Sequence, residues 1–319
     1  MIVVITGGTG GAKFVEGLRQ AANGEQLTFI VNTGDDLDWW GLHISPDLDS
    51  ITYAFAGMLS RERGWGVKGD TFYCMQAMGE LGEATWFHVG DRDLAVHLLR
   101  SKLLAQGKTL TEATTEICNK LGVQARILPM SDSPVETRID TPVGELSFQE
   151  YFVQRWYQDP VNSVHFAGAS EAKPAPGVIE SILSARAVIV APSNPITSIG
   201  PILAVPGVRE ALRQTQATIA AVSPIVGGAA VSGPAAVLME AQGLPVSIAG
   251  IARAYEDFLD ALICDVQDSD AAKDLQSSKI RVHCTNTIMR TAEDKARLAR
   301  TVLTLLAAQG SARAVSERS

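Results

Sequence analysis

The sequence predicts an α/β fold: a Rossmann-like parallel sheet core with an inserted, mostly helical cap that contains a small hairpin. Three observations carry this. Residues 1–6 form an apolar run, followed by a glycine cluster and a helical pattern with Phe14, Leu18 and Ala21 on one face. A second apolar run at 27–32 completes the order strand, glycine turn, helix, strand. The alternation returns in the second half, where the runs 187–191 and 218–222 each lead into a loop of Pro, Ser and Gly and then into helix-compatible sequence.

The remaining elements follow in order. Residues 246–248, 262–266 and 280–283 read as further short strands, 291–308 as an amphipathic closing helix, and the chain after Gly310 as a polar tail. Between the two halves the texture is helical, around 53–61, 71–81, 93–106 and 111–121. A hairpin-like stretch, 135–148, then turns at Thr141-Pro142-Val143-Gly144. The expected organisation is residues 1–41 and 174–319 as one nucleotide-binding core, both ends sharing a sheet, with 42–173 inserted as the cap.

Composition narrows the function classes. With 319 residues, 46% apolar and 19% charged, the chain is able to bury a large core. A net charge of -8 with no stripe of Lys and Arg excludes a nucleic-acid polymer as partner. The uncharged stretch 217–239 is long enough to span a bilayer. It is broken by Ser223-Pro224, Gly227-Gly228 and Ser232-Gly233-Pro234, so it reads as a buried strand, a loop and a helix start, with no membrane partner. Cys74, Cys118, Cys264 and Cys284 lie far apart with no Cys-x-x-Cys pair, and read as reduced, mostly buried thiols. No basic leader precedes the first strand, so a cytoplasmic location is expected.

The first motif is Thr6-Gly7-Gly8-Thr9-Gly10-Gly11-Ala12-Lys13, between strand one and helix one. Glycines there let backbone N–H groups approach an anion at a helix N-terminus, which suits a phosphate or diphosphate. A Walker A loop needs Gly-Lys-Ser/Thr and this chain has Ala12-Lys13-Phe14; a dinucleotide fingerprint counted from Gly8 and Gly10 wants glycine where Lys13 stands. A ligand-free tight turn is the bland alternative.

Acids follow strand two: Asn32-Thr33-Gly34-Asp35-Asp36-Leu37-Asp38, then Ile44-Ser45-Pro46-Asp47-Leu48-Asp49-Ser50. Loops at the carboxyl ends of parallel strands line the ligand crevice, and crowded carboxylates there suit Mg²⁺ held together with substrate phosphates. Asp47 and Asp49, which share a side if the backbone is extended, are the metal candidates, and Asn32 and Asp36 line the crevice. Asp49 or Ser50 is alternatively a helix cap. In Gly90-Asp91-Arg92-Asp93, Arg92 is a candidate substrate contact and Asp91 or Asp93 a cap. Later uncharged loops repeat the theme: Ser193, Asn194 and Thr197 within 192–200, Ser223 and Gly227 within 223–228, Ser232 and Gly233 within 231–234.

Taken in order, Ile5 to Gly10, Val31-Asn32-Thr33, Ile44 to Asp49, Val89 to Asp93, Ile127 to Asp132, Ala191 to Pro201, Val222 to Ile225 and Val231 to Ala235 resemble the 2-phospho-L-lactate transferase family, over the first 265 residues or so. The resemblance implies a Mg²⁺-dependent enzyme of coenzyme F420 biosynthesis, often a homodimer. Its partners would be the deazaflavin Fo and a guanosine-diphosphate-linked three-carbon acid; the ribityl hydroxyl of Fo attacks the β-phosphorus and GMP leaves. It implies that the glycine loop and the Asn194 and Ser232 loops hold the guanosine diphosphate, that Asp47 and Asp49 hold Mg²⁺ or the attacking hydroxyl, and that Arg92 faces the deazaflavin. Asp49→Asn is then expected to lower turnover and spare the fold. Related regulators that bind nucleotide-sugars carry Asp-Asp-Gly-Gly-Ser-Ser after strand two. This chain has Asp35-Asp36-Leu37-Asp38-Trp39-Trp40, which favours the transferase. An NAD(P)-dependent oxidoreductase is disfavoured by Lys13.

Overall fold

The computed structural model describes residues 1–276 and 280–316. The chain runs β1 (Ile2–Thr6), α1 (Gly8–Ala21), β2 (Leu27–Val31), a hairpin of β3 (Leu37–Trp39) and β4 (Leu42–Ile44), then α2 (Pro46–Ala56), α3 (Tyr73–Glu80), α4 (Asp91–Ala105) and α5 (Leu110–Lys120). Next come β5 (Arg126–Pro129), β6 (Glu136–Thr141), β7 (Gly144–Ser147), β8 (Ser163–Ala167), α6 (Val178–Ser184) and β9 (Ala187–Val190). The chain continues through α7 (Gly200–Ala204), α8 (Val208–Gln214), β10 (Thr218–Val222), the short pair β11 (Ile225–Val226) and β12 (Ala229–Ala230), α9 (Ala235–Ala241) and α10 (Ile248–Ala254). It closes with β13 (Ala261–Asp265), α11 (Ser269–Leu275), β14 (Arg281–Thr285) and α12 (Ala292–Ser316).

Among the described residues seven strands form one parallel sheet in the order β14-β13-β10-β9-β1-β2-β5. The central strands are buried along their whole length because both faces are covered, as all-parallel sheets require. Strand alternation sends Val3 and Ile5 into one core with Val178, Ile182 and Leu212, and Ile2 and Val4 into the other with Phe14, Leu18, Ile51 and Val302. Strand order reverses around β1: β2 and β5 lie to one side, β9, β10, β13 and β14 to the other. The loops leaving β1 and β9 therefore part at a switch point, the place where sheets of this kind bind their ligands.

Several expectations change. The inserted segment 42–173 also contributes to the core: Arg126–Pro129 pairs with β2 as an edge strand of the main sheet, and α2 packs on α1 through Leu48 and Ile51. The stretch 246–248 is no strand: the Ser247 side chain accepts from Gly250 N–H and starts α10, a capping signal that outweighs the two apolar residues beside it. The first insert helix begins at Pro46, not 53, since proline suits the first helical turn. The hairpin gains a third strand, β8, and the tail after Gly310 continues α12 to Ser316. Among the described residues no helix is long and apolar enough to cross a membrane.

Candidate functional site

Gly7 leaves β1 in an extended conformation and α1 begins at Gly8, whose φ of +64° lies in the left-handed region that glycine enters freely. The loop after β9 presses onto this turn. A Cβ on Gly10 would stand 2.2 Å from the Pro192 carbonyl oxygen, too close for any side chain. The Ser193 hydroxyl donates to the Gly7 carbonyl at 2.7 Å, and Asn32 Nδ2 donates to the Thr197 carbonyl at 3.2 Å. The structure thus joins the glycine loop, Asn32 and the 192–200 loop. Asn194 serves this loop internally, its Oδ1 accepting the Ile196 N–H at 2.9 Å.

Asp47 completes the cluster. Its Oδ1 accepts the Gly8 N–H at 2.7 Å and its Oδ2 accepts from Asn32 Nδ2 at 3.0 Å. A carboxylate therefore already sits against the first amide of α1, where helix geometry leaves N–H groups without partners inside the helix. Alongside it, Asp36 Oδ2 accepts from the Ser45 hydroxyl at 2.7 Å and faces His43 Nε2 at 3.1 Å. Asp35 Oδ1 and Asp36 Oδ1 are buried with no hydrogen-bond partner among the described residues, as are the hydroxyls of Thr6, Thr33 and Thr197. Buried polar atoms are seldom left unpaired, so these mark a place built for something else.

The electrostatics agree. Burial, then the charge of Asp47, pushes the Asp35 carboxyl well above its ordinary value. Burial raises Asp36, with His43 and Ser45 pulling it back. Burial lifts Asp47 to about 6 against the hydrogen bonds from Asn32 and Gly8. Two desolvated carboxylates with a free oxygen each, Asp35 and Asp36, with Asp47 beside them, form a hard, all-oxygen donor set that fits a divalent cation such as Mg²⁺.

The expected metal pair separates. Residues 47 and 49 lie in the first turn of a helix, not in an extended loop, so their side chains leave on different sides. Asp49 turns to α4, where Arg100 Nη1 donates to its Oδ2 at 3.0 Å and Nη2 binds its Oδ1. Both oxygens are engaged by a guanidinium, which argues against the expected role of Asp49 as a metal ligand. Asp49, Asp93 and His97 are close enough to suggest a metal triad, but Arg100 supplies the positive charge there. His97 Nδ1 lies 3.4 Å from Asp49 Oδ2 and its Nε2 3.4 Å from Asp93 Oδ1, and the Tyr53 hydroxyl donates to Asp93 at 2.7 Å.

Arg92 also falls elsewhere. Asp49 meets Arg100 while Tyr53 meets Asp93, so α2 and α4 run antiparallel, and eight residues of α4 put Arg92 about 12 Å along the axis from Arg100. Arg92 is exposed and donates to the Lys68 carbonyl at 3.2 Å. Asp70, not Asp91 or Asp93, caps α4 by accepting the Arg92 and Asp93 N–H groups, and Asp91 instead accepts from the first turn of α3. Lys13 is half-buried in α1. Ser223 bonds within its own turn, Gly227 N–H binds Asp268, and Ser232 and Gly233 are exposed; these lie past β10, one strand further from β1 than the 192–200 loop. Arg100, His97 and Thr33 were not anticipated. The spacing Asp93, His97, Arg100 on one helical face is the signal that offered the two α4 residues.

Fold and crevice define a doubly wound α/β protein whose polar site lies at the sheet's switch point. The pattern describing 2-phospho-L-lactate transferase CofD matches residues 2–303, and the chain belongs to that family of transferases. It is 40% identical over 304 residues to a 2-phospho-L-lactate transferase of Methanosarcina mazei, covering 95% of this chain and 99% of the relative. It is 41% identical over 308 residues to that of Methanocaldococcus jannaschii, covering 95% and 97%. A phosphoenolpyruvate transferase of Streptomyces griseus is 39% identical over 310 residues, covering 95% and 98%. In fold, the chain is similar to BH3568 of Bacillus halodurans, a UPF0052-family protein, with a TM-score of 0.63, 16% identity, and 95% and 98% of the two chains covered.

Proposed function

We propose that this chain transfers a phosphorylated three-carbon acid from a guanosine-diphosphate carrier to the ribityl hydroxyl of the deazaflavin Fo, with Mg²⁺, in coenzyme F420 biosynthesis. The carrying observation is the group of unpaired buried oxygens of Thr6, Thr33, Asp35, Asp36 and Thr197 where the loops of β1, β2 and β9 meet. A polar ligand with a cation is what such a set satisfies. The amides of the α1 N-terminus take the diphosphate, and the nucleoside extends along the carboxyl edge towards the Ser223 and Ser232 loops. Asp35 and Asp36 would hold Mg²⁺, with Asp47 beside them; bound there it would neutralise charge on the phosphate oxygens.

The acceptor oxygen attacks the β-phosphorus, the bond from that phosphorus to the oxygen retained by GMP breaks, and the hydroxyl proton passes to Asp47. Asp47, at the Gly8 amide, is placed to receive it, whereas Asp49 is held by Arg100. The remaining contribution is alignment and charge stabilisation by fixed amides. The acid on the donor is left open by the relatives, since phospholactate and phosphoenolpyruvate transferases are equally similar at 40% and 39% identity. Incubation with Fo, Mg²⁺ and each guanosine-diphosphate-linked acid, read by mass spectrometry, tests the reading. A product of Fo plus the phosphoacid, with one GMP released per turnover, is expected; unchanged Fo with every donor would overturn it.

A further inference from the structure

We infer that Arg100 is a positioning residue for this acidic crevice, acting through Asp49 on the helix turn that carries Asp47. The inference rests on the proposed function for what the crevice does. Arg100 is 2% exposed and is the largest of the fully buried side chains among the described residues, an unusual place for a residue that is costly to desolvate. Its two terminal nitrogens engage both oxygens of Asp49, and Nη1 stands 3.4 Å from His97 Nδ1.

The partners come from two helices at matching spacings. Asp49 and Tyr53 are one turn apart on α2; Asp93, His97 and Arg100 follow one face of α4. The contacts Arg100 to Asp49, His97 between Asp49 and Asp93, and Tyr53 to Asp93 close a latch between the helices. Asp47 sits two residues before Asp49 in the first turn of α2, with its carboxylate against Gly8. A fork-shaped contact to Asp49 fixes the position of that turn, and therefore of Asp47, with less freedom than a single-point contact allows.

Arg100→Lys keeps the charge and loses the fork, so its effects report geometry. Lys295→Met is the control: Lys295 and Glu16 form another buried pair, joining α12 to α1 without touching Asp47. The measurements are thermal midpoint, Mn²⁺ binding to the substrate-free protein by electron paramagnetic resonance, and kcat and KM for donor and acceptor. Arg100→Lys is expected to stay folded, to lose about tenfold in kcat with KM within about threefold, and to weaken Mn²⁺ binding several-fold. Lys295→Met is expected to lower the melting point while leaving kcat and Mn²⁺ affinity within about twofold. Wild-type kcat and Mn²⁺ affinity in Arg100→Lys would overturn the inference, as would equal losses in Lys295→Met. Wild-type protein that neither binds Mn²⁺ nor turns over would instead overturn the functional reading.

Discussion

Asp47 stands where the first amide of α1 would meet a phosphate, and its raised pKa records how few compensating charges surround it. Asparagine has the same shape and still accepts from Gly8, so Asp47→Asn is expected to fold with a melting point within a few degrees of wild type. Turnover is expected to fall about 10²–10³-fold, the scale of losing one positioned electrostatic group; near-normal kcat would remove Asp47 from the chemistry. Asp49→Asn behaves otherwise. It leaves a buried guanidinium without its anion and is expected to cost about 3–5 kcal/mol of stability, read by denaturant unfolding, rather than to spare the fold. Asp47 was legible as an acid near a glycine loop. The separation from Asp49 was not, because Ser45-Pro46 turns an apparently extended motif into a helix start and reverses which residues share a face.

Among the elements, the decisive contact is between the turn leaving β1 and the loop leaving β9. A methyl group at residue 10 would overlap the Pro192 carbonyl, a backbone atom with no rotamer to move. Gly10→Ala is therefore expected to separate the two loops and lower donor affinity at least about tenfold, checked by calorimetry with GDP; unchanged affinity would show that the closeness is incidental. Strand, glycine turn, helix, strand was readable because periodicity and glycine placement are local signals. The role of Arg126–Pro129 was not: four residues inside the insert carry too little pattern to announce pairing with β2, a contact fixed by the tertiary fold. Ser247 is the converse, a local cap signal present in the sequence but outvoted by its apolar neighbours.

Across the whole molecule, the carboxylates of Asp35, Asp36 and Asp47 make substrate-free stability depend on pH in a definite direction. Their folded pKa values lie above the unfolded carboxylate range, near 4, so the folded state holds protons more tightly. The stabilisation this gives is complete below about pH 4 and is lost as pH rises through about 6 for Asp47. A divalent cation needs the ionised carboxylates. The rise in thermal midpoint on adding Mg²⁺ is therefore expected to be larger at pH 7.5 than at pH 5; an equal rise at both would separate the cation from these acids.

The most direct measurement is a crystal grown with GDP and Mn²⁺ and recorded for anomalous scattering. The account predicts a manganese peak within coordinating distance of Asp35 and Asp36, with the diphosphate over the start of α1. A peak enclosed by Asp49, Asp93 and His97, or GDP bound away from Gly8, would contradict it.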